Sequence, residues 1–178
     1  MGSNVGEREG NLRGGWSCMA SFCGPLRLSR IYETRPQYVV DQPYYLNAVG
    51  EAMSAIEPRD MMGRLHRIEH DFGRDRSREI RNGPRTLDLD ILLCDEMVIS
   101  TPDLTIPHPR ILERLFVLIP LLELLPHLAD PRTAIPYARS LLALASDSQN
   151  NGGSRGAADR GVYLYSPAGY STLPNKEP

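Results

Sequence analysis

Residues 83–93 read Gly83-Pro84-Arg85-Thr86-Leu87-Asp88-Leu89-Asp90-Ile91-Leu92-Leu93. Apolar and acidic residues alternate in the middle of this stretch, and successive residues of a β-strand point to opposite faces of a sheet. The pattern predicts a buried strand over residues 87–94. Leu87, Leu89 and Ile91 would point into the core, while Asp88 and Asp90 would place two carboxylates on the other face.

Two carboxylates on one strand face suit Mg²⁺, which binds one or two carboxylates together with substrate phosphates and water. Two such ions can bridge adjacent phosphates of a nucleotide. Two solvated acids on an edge strand would have the same spacing. The pair alone therefore leaves both interpretations open.

The segment before this strand is rich in arginine. Its members are Arg74, Arg76, Arg78, Arg81 and Arg85. By itself, such a run is best explained as a solvated charged loop. Beside a carboxylate pair it predicts a triphosphate site, with metal ions on one side and guanidinium groups on the other. The only lysine is Lys176, which excludes a Walker A loop and a protein-kinase lysine, so arginines must hold any phosphates.

The flanking patterns predict an α+β fold. Helical patterns cover residues 7–23, 58–72 and 110–125. Strand patterns cover residues 26–34, 44–53 and 97–100. Pro58 and Gly73 bracket the second helix, Pro120 is expected to bend or break the third, and Asp95-Glu96 is expected to form a hairpin turn. Irregular alternation with a hairpin favours an α+β sandwich over a doubly wound parallel sheet.

The composition predicts one globular domain and a tail. A chain of 178 residues that is 41% hydrophobic can form one core, and a net charge of -2 does not indicate nucleic acid or a membrane surface as a partner. Beyond Asp147 the sequence turns to Ser, Asn, Gly and Pro, which predicts a domain over residues 1–146 and a disordered tail over residues 147–178. Three cysteines without a CxxC pair, and no secretory signal pattern, favour the cytoplasm.

Two further motifs supply polar groups. The motif Ile106-Pro107-His108-Pro109-Arg110 fixes a loop around His108, which could donate to a phosphate or be a buried structural histidine. Arg110 and Arg114 are four residues apart on the predicted helix and could complete a phosphate site. Tyr45 and Asn47 share a strand face and suit a flat heterocycle, although core packing is an alternative.

Taken in order, these segments resemble the family of 6-hydroxymethyl-7,8-dihydropterin pyrophosphokinases over about residues 2–131. The matching motifs are Gly2-Ser3-Asn4 with Gly6 and Leu12, Tyr32-x-Thr34, residues 41–47, Arg67-Ile68-Glu69, Gly73-Arg74-x-Arg76, residues 83–93, residues 106–110 and Arg114-x-Phe116-Val117-Leu118. The resemblance implies a ferredoxin-like sandwich, with helices packed on a mostly antiparallel sheet. It also implies Mg²⁺-dependent transfer of pyrophosphate from ATP to the hydroxymethyl group of 6-hydroxymethyl-7,8-dihydropterin, with release of AMP, in folate biosynthesis.

The resemblance further implies roles for individual residues. Asp88 and Asp90 would hold two Mg²⁺ ions, and Arg74 and Arg85 would be catalytic. The ATP-binding residues would be Glu69, Arg74, Arg76, Arg85, Ile91, His108 and Arg114. The pterin pocket would be formed by Thr34, Tyr45, Asn47 and Phe116, with the two aromatic rings on opposite sides of the pterin.

The sequence departs from this family at two places. Members have a short apolar strand before the Gly-Ser-Asn motif, whereas only Met1 precedes it here, so the first strand is expected to be missing. Its loss would leave buried backbone groups unpaired, so we expect the natural chain to begin about six to eight residues upstream or to be fused there to another domain. Asn82 stands where some members have an aromatic that closes over the pterin.

Two other classes of function remain open. His66-Arg67-Ile68-Glu69-His70 matches the H-x-x-E-H signature of inverted zinc proteases, although so short a motif often arises by chance and those proteases are much larger. A non-catalytic binder of ATP or pterin is the second alternative, and binding without AMP formation would identify it. Whether the protein is a pterin enzyme or only a binder, the expected partners are the small molecules ATP and 6-hydroxymethyl-7,8-dihydropterin.

Overall fold

The computed structural model describes residues 1–37, 39, 41–76, 83–150 and 161–166, with side chains in the last helix described to residue 146. The helices are α1 (Arg8–Met19), α2 (Pro58–Asp71), α3 (Leu115–Leu124) and α4 (Tyr137–Asn150), and a 3-10 turn (Ile111–Glu113) precedes α3. The strands are β1 (Gly2–Ser3), β2 (Leu26–Leu28), β3 (Tyr32–Thr34), β4 (Tyr45–Asn47), β5 (Gly50–Ala52), β6 (Ile99–Ser100), β7 (Thr105–Ile106) and β8 (Val162–Leu164).

The largest sheet has four strands in the order β1-β4-β3-β8, and every pair in it is antiparallel. Within it, Asn47 of β4 lies opposite Gly2 on one side and Tyr32 on the other. Two further antiparallel pairs, β2-β5 and β6-β7, form two-stranded sheets. The α+β class and the antiparallel pairing are therefore confirmed, while the ferredoxin-like arrangement stays a prediction.

Helices α1 and α2 pack on this sheet through the first core cluster, which includes Leu12, Leu46, Leu65, Leu87 and Leu89. A Cβ atom on Gly15 of α1 would lie 2.7 Å from Leu87 Cδ2, so the glycine, which weakens the helical pattern, is what allows α1 to pack closely here. The Trp16 ring lies against the backbone of Gly50 in β5. Helices α3 and α4 contribute to a second core cluster around Leu118, Leu121 and Tyr137.

Several predicted boundaries are confirmed and others are wrong. Helix α2 begins with Pro58 at its first turn, and Gly73 follows it with φ +83. The strand predicted over residues 26–34 is split because its register against residues 45–52 shifts by one residue between the Leu28–Gly50 pair and the Tyr32–Asn47 pair. The helix predicted over residues 110–125 breaks at Arg114, which is extended, and not at Pro120, which lies inside α3. Arg110 and Arg114 therefore do not share a helix face.

Strand β1 is the Gly2–Ser3 part of the Gly-Ser-Asn motif itself, so the prediction about a strand before this motif stays a prediction. Gly2 and Asp88 exchange two backbone hydrogen bonds, from Gly2 N to Asp88 O at 2.9 Å and from Asp88 N to Gly2 O at 2.8 Å. The strand predicted over residues 87–94 is wrong as to its extent, since in this segment only Asp88 forms a β-bridge, with Gly2.

The C-terminal segment also departs from the prediction. Residues 161–166 are ordered, with β8 paired along β3 and Tyr165 packed against the first core cluster. The prediction of disorder therefore does not hold for these residues, and α4 extends to Asn150. Residues 151–160 and 167–178 lie outside the described residues, as do Arg78, Arg81 and Asn82. No helix in the described ranges combines the length and apolar character needed to cross a membrane.

Candidate active site

An open cavity of about 110 Å³ lies where β1, β3 and β4 meet the segment around Asp88 and the start of α3. All four residues of the predicted pterin pocket line it: Thr34, Tyr45, Asn47 and Phe116. Both predicted metal ligands, Asp88 and Asp90, line the same cavity, together with Arg85 and Arg114. Residues from distant parts of the chain thus surround a single space.

The predicted pterin side of the cavity is a set of polar groups on β3 and β4. The buried amide of Asn47 donates from Nδ2 to Thr34 Oγ1 at 2.7 Å. The Tyr45 hydroxyl donates to the Gly83 carbonyl at 2.9 Å, and burial raises the pKa of Tyr45. These hydrogen bonds hold an amide and an aromatic ring side by side, which is the arrangement that a flat heterocycle with polar edges requires.

Phe116 and Arg114 face the same cavity from the start of α3. The Arg114 guanidinium carbon lies 5.5 Å from the centre of the Phe116 ring, within the range of a cation–π contact. Arg114 Nε is buried and has no hydrogen-bond partner among the described residues. A buried N–H donor without a partner is costly, so an acceptor from a ligand would satisfy it.

The carboxylate side is organised around Asp88. One of its oxygens accepts from Arg74 Nη1 and the other from Arg85 Nη1, at 3.1 Å for Arg85. Burial acts to raise the pKa of Asp88, but the charges of Arg85 and Arg74 outweigh it and hold the pKa below its usual value. Asp90 is exposed on the same face, while Leu87 and Leu89 are buried on the opposite one, as the alternation predicts.

Glu69 lies behind this pair and is completely buried. Its Oε1 accepts from the Leu89 backbone N–H at 2.7 Å and from Arg74, and its Oε2 accepts from Arg76 Nε at 3.0 Å. Both oxygens are thus occupied by donors of the protein. In this structure Glu69 positions two arginines, and its direct contact with ATP stays a prediction.

His108 is held in the loop before the 3-10 turn. Its backbone N–H donates to the Leu92 carbonyl at 2.8 Å, and its Nδ1 accepts from the Arg110 N–H at 3.2 Å. Burial lowers the pKa of His108, although the charge of Asp90 opposes the shift. A neutral imidazole that accepts at Nδ1 carries its proton on Nε2. His108 does not line the cavity, and neither do Glu69, Ile91, Arg74 and Arg76.

Asn4 is a site residue for which the sequence predicts no role. Its side chain is 1% exposed, donates to Gln42 Oε1 and to the Pro43 carbonyl, both at 3.1 Å, and accepts from the Arg85 N–H at 2.8 Å. One amide therefore connects the pterin side to the arginine beside Asp88. An asparagine after Gly-Ser indicates only a local turn, so no sequence pattern points to these distant contacts.

The described residues contain no group of three or more His, Cys, Asp or Glu that could hold a metal ion. Mg²⁺ does not need such a group, because one or two carboxylates and substrate phosphates suffice. Asp88 and Asp90, facing one cavity, fit that requirement. The zinc-protease alternative is not supported, since Glu69 of its motif is buried in ion pairs with Arg74 and Arg76.

Comparisons with known proteins agree with this geometry. A family model described as 7,8-dihydro-6-hydroxymethylpterin-pyrophosphokinase matches residues 1–126. The chain is 42% identical over 126 residues to the 2-amino-4-hydroxy-6-hydroxymethyldihydropteridine pyrophosphokinase of Bacillus subtilis. The matched stretch covers 70% of this chain and 74% of that protein. It is 44% identical over 135 residues to the mitochondrial folate synthesis bifunctional protein of Arabidopsis thaliana. This match covers 75% of the present chain and 24% of the plant protein. The chain thus spans about a quarter of the plant relative.

Proposed function

The chain belongs to the 7,8-dihydro-6-hydroxymethylpterin-pyrophosphokinase family, and from that premise we propose that it transfers pyrophosphate from ATP to the hydroxymethyl group of 6-hydroxymethyl-7,8-dihydropterin. AMP is the second product, and the reaction is a step of folate biosynthesis. The observation that carries the proposal is the shared cavity, which the hydrogen-bonded Thr34–Asn47 pair lines together with the carboxylates of Asp88 and Asp90.

In the proposed reaction the hydroxymethyl oxygen of the pterin attacks the β-phosphorus of ATP. The new oxygen–phosphorus bond forms as the bond from the β-phosphorus to the oxygen bridging it to the α-phosphorus breaks, and the hydroxyl proton is released. No nucleophile from the protein is needed. The acceleration then comes from positioning the two substrates and from neutralising phosphate charge.

Each side of the cavity has a separate task in this proposal. Asn47 offers hydrogen bonds to a pterin edge, with Tyr45 and Phe116 against its faces. Asp88 and Asp90 would hold two Mg²⁺ ions, which when bound neutralise phosphate oxygens. Arg85 and the unpaired Nε of Arg114 would donate to the phosphates, because guanidinium groups suit phosphate oxygens geometrically.

The arginines behind the cavity are held in advance of ligand binding. Glu69 fixes Arg74 and Arg76, and Arg74 also contacts Asp88. Donors that are fixed before the reaction need little rearrangement when charge moves onto the leaving group. This supports the assignment of Arg74 as a charge-stabilising residue, with Glu69 as its positioning partner.

The proposal is tested by measuring AMP formation from ATP with the pterin as acceptor. We expect AMP and pterin diphosphate in equal amounts, no product when the pterin is omitted, and loss of activity when EDTA removes the divalent metal. Binding of both substrates in calorimetry without AMP would contradict the proposal and identify a non-catalytic binder. The cytoplasm stays a prediction from the sequence, since the plant relative is named as mitochondrial.

A further inference from the structure

Strand β8 lies beyond residues 1–126, the part of the chain that the family model matches, yet it pairs with a strand of the candidate active site. Its partner is β3, in the register Tyr32–Leu164, Glu33–Tyr163 and Thr34–Val162. Thr34, the last residue of β3, is the residue whose Oγ1 accepts from Asn47 in the cavity. The C-terminal segment therefore pairs directly with one of the two strands that carry the pterin side.

The pairing continues for one residue past β3, to the start of the connection between β3 and β4. The Arg35 backbone N–H donates to the Gly161 carbonyl at 2.9 Å, and at the other end Tyr165 N–H donates to the Ile31 carbonyl at 2.9 Å. Arg35 lines the cavity, as do Pro36 and Gln37 after it. The hydrogen bond from Arg35 thus fixes the backbone where the chain enters the cavity wall.

The contact at Gly161 is close enough to be sensitive to a single methyl group. Gly161 has φ +63, a conformation that favours glycine, and a Cβ atom added there would lie 2.6 Å from Arg35 Cγ. A larger residue would have to displace the Arg35 side chain or lengthen the hydrogen bond. Gly161 and Arg35 therefore fit each other as a pair.

The far end of the same connection is held by helix α1. Arg8 Nη1 donates to the Tyr44 carbonyl at 2.7 Å and to Glu33 Oε1 at 2.8 Å, so it joins β3 to the end of the connection. The Arg35 guanidinium carbon lies 6.0 Å from the centre of the Tyr44 ring. Both ends of the connection are fastened, one by Arg8 and the other by Gly161.

We propose that residues 161–165 are a positioning strand for the pterin side of the active site. By pairing with β3 and holding the Arg35 N–H, the strand fixes Thr34 and the cavity wall that follows it. Without β8, the three residues of β3 would form an exposed edge with unpaired backbone groups, and short edges fray. The inference rests on the proposed function, because it assigns this side of the cavity to the pterin.

The test compares the intact chain carrying Gly161→Ala with the unsubstituted chain, with Leu164→Ala as a control in the same strand. Leu164 is 39% exposed and lies opposite Tyr32, at the end of β8 away from Arg35. With a non-hydrolysable ATP analogue present, Gly161→Ala should weaken pterin binding about fivefold to tenfold, the effect of losing one hydrogen bond. Affinity for the ATP analogue should change by less than about twofold, and Leu164→Ala should leave both affinities unchanged.

A second measurement does not depend on the ligands. Hydrogen exchange at the Arg35 amide should be faster in Gly161→Ala than in the unsubstituted chain and in Leu164→Ala. Unchanged pterin affinity despite faster exchange, or equal weakening of pterin and ATP binding, would overturn the positioning role. If the unsubstituted chain binds pterin but forms no AMP, the proposed reaction fails while this inference stands; if it binds no pterin, both fail.

Discussion

Replacing each carboxylate of the pair by its amide should separate catalysis from stability. Asp88 accepts from Arg74 and Arg85, and its side chain is 25% exposed, whereas Asp90 is exposed on the same face. Both changes remove one negative charge from the proposed metal site. Only Asp88→Asn also removes the charge that compensates two partly or fully buried arginines.

The size of the stability effect follows from these contacts. Hydrogen bonds to charged groups each contribute about 1.5–3 kcal/mol, but the amide that replaces the Asp88 carboxylate would keep one acceptor, and Arg74 would keep Glu69. We therefore expect Asp88→Asn to lower the free energy of unfolding by about 2–4 kcal/mol, which corresponds to a melting temperature about 4–16 °C lower. Asp90→Asn should change it by about 0.5 kcal/mol or less, as surface substitutions do.

The two variants should nevertheless lose similar amounts of activity. We expect at least about a hundredfold slower AMP formation in each, because both carboxylates are assigned to the metal ions. Urea unfolding gives the stabilities, and AMP formation over a range of Mg²⁺ concentrations gives the activities. Equal destabilisation by the two changes would contradict the ion-pair argument, and normal turnover in Asp90→Asn would contradict its assignment as a metal ligand.

Three further outcomes are expected. Asn47→Ala removes the donor to Thr34 and the amide that faces the pterin, so calorimetry should show pterin binding weaker by about 1–3 kcal/mol with ATP affinity unchanged; equal losses for both ligands would indicate a structural role. Asn4→Asp keeps an acceptor for the Arg85 N–H but loses the donor to Gln42, so calorimetry should show weaker pterin binding; unchanged pterin affinity would contradict the connecting role of Asn4. Burial lowers the pKa of His108, so the stability that its neutral form contributes is present above the unfolded pKa of about 6.5 and is lost as the pH falls through the folded pKa. His108→Gln should therefore flatten the pH dependence of urea unfolding in that range. Parallel pH profiles of the two chains would contradict this.

The sequence predicts what depends on local periodicity. Alternation in residues 87–91 correctly separates the buried leucines from the two carboxylates, and Pro58 with Gly73 correctly brackets α2. The shared strand face of Tyr45 and Asn47 also follows from their spacing, since residues two apart on a strand point the same way. In each case the information lies within a few residues of the chain.

What the sequence could not predict depends on distant partners. The split between β2 and β3 arises from a one-residue shift in their pairing with β5 and β4, and the bridging role of Asn4 depends on Arg85, 81 residues away. The break at Arg114 lies between apolar segments that read as one helix. Strand β8 is only three residues long and follows a polar stretch of the sequence. It forms by pairing with the edge of β3, which no local pattern indicates.

The contact between Trp16 and Gly50 also determines what an optical experiment on this protein can report. Trp16 is the only tryptophan of the chain, and it packs with the first core cluster and not among the residues that line the cavity. Its fluorescence emission will therefore follow the separation of α1 from β5 when the protein unfolds. A titration with ATP, which does not absorb where tryptophan emits, should leave this emission almost constant, so unfolding can be recorded by fluorescence with the nucleotide present.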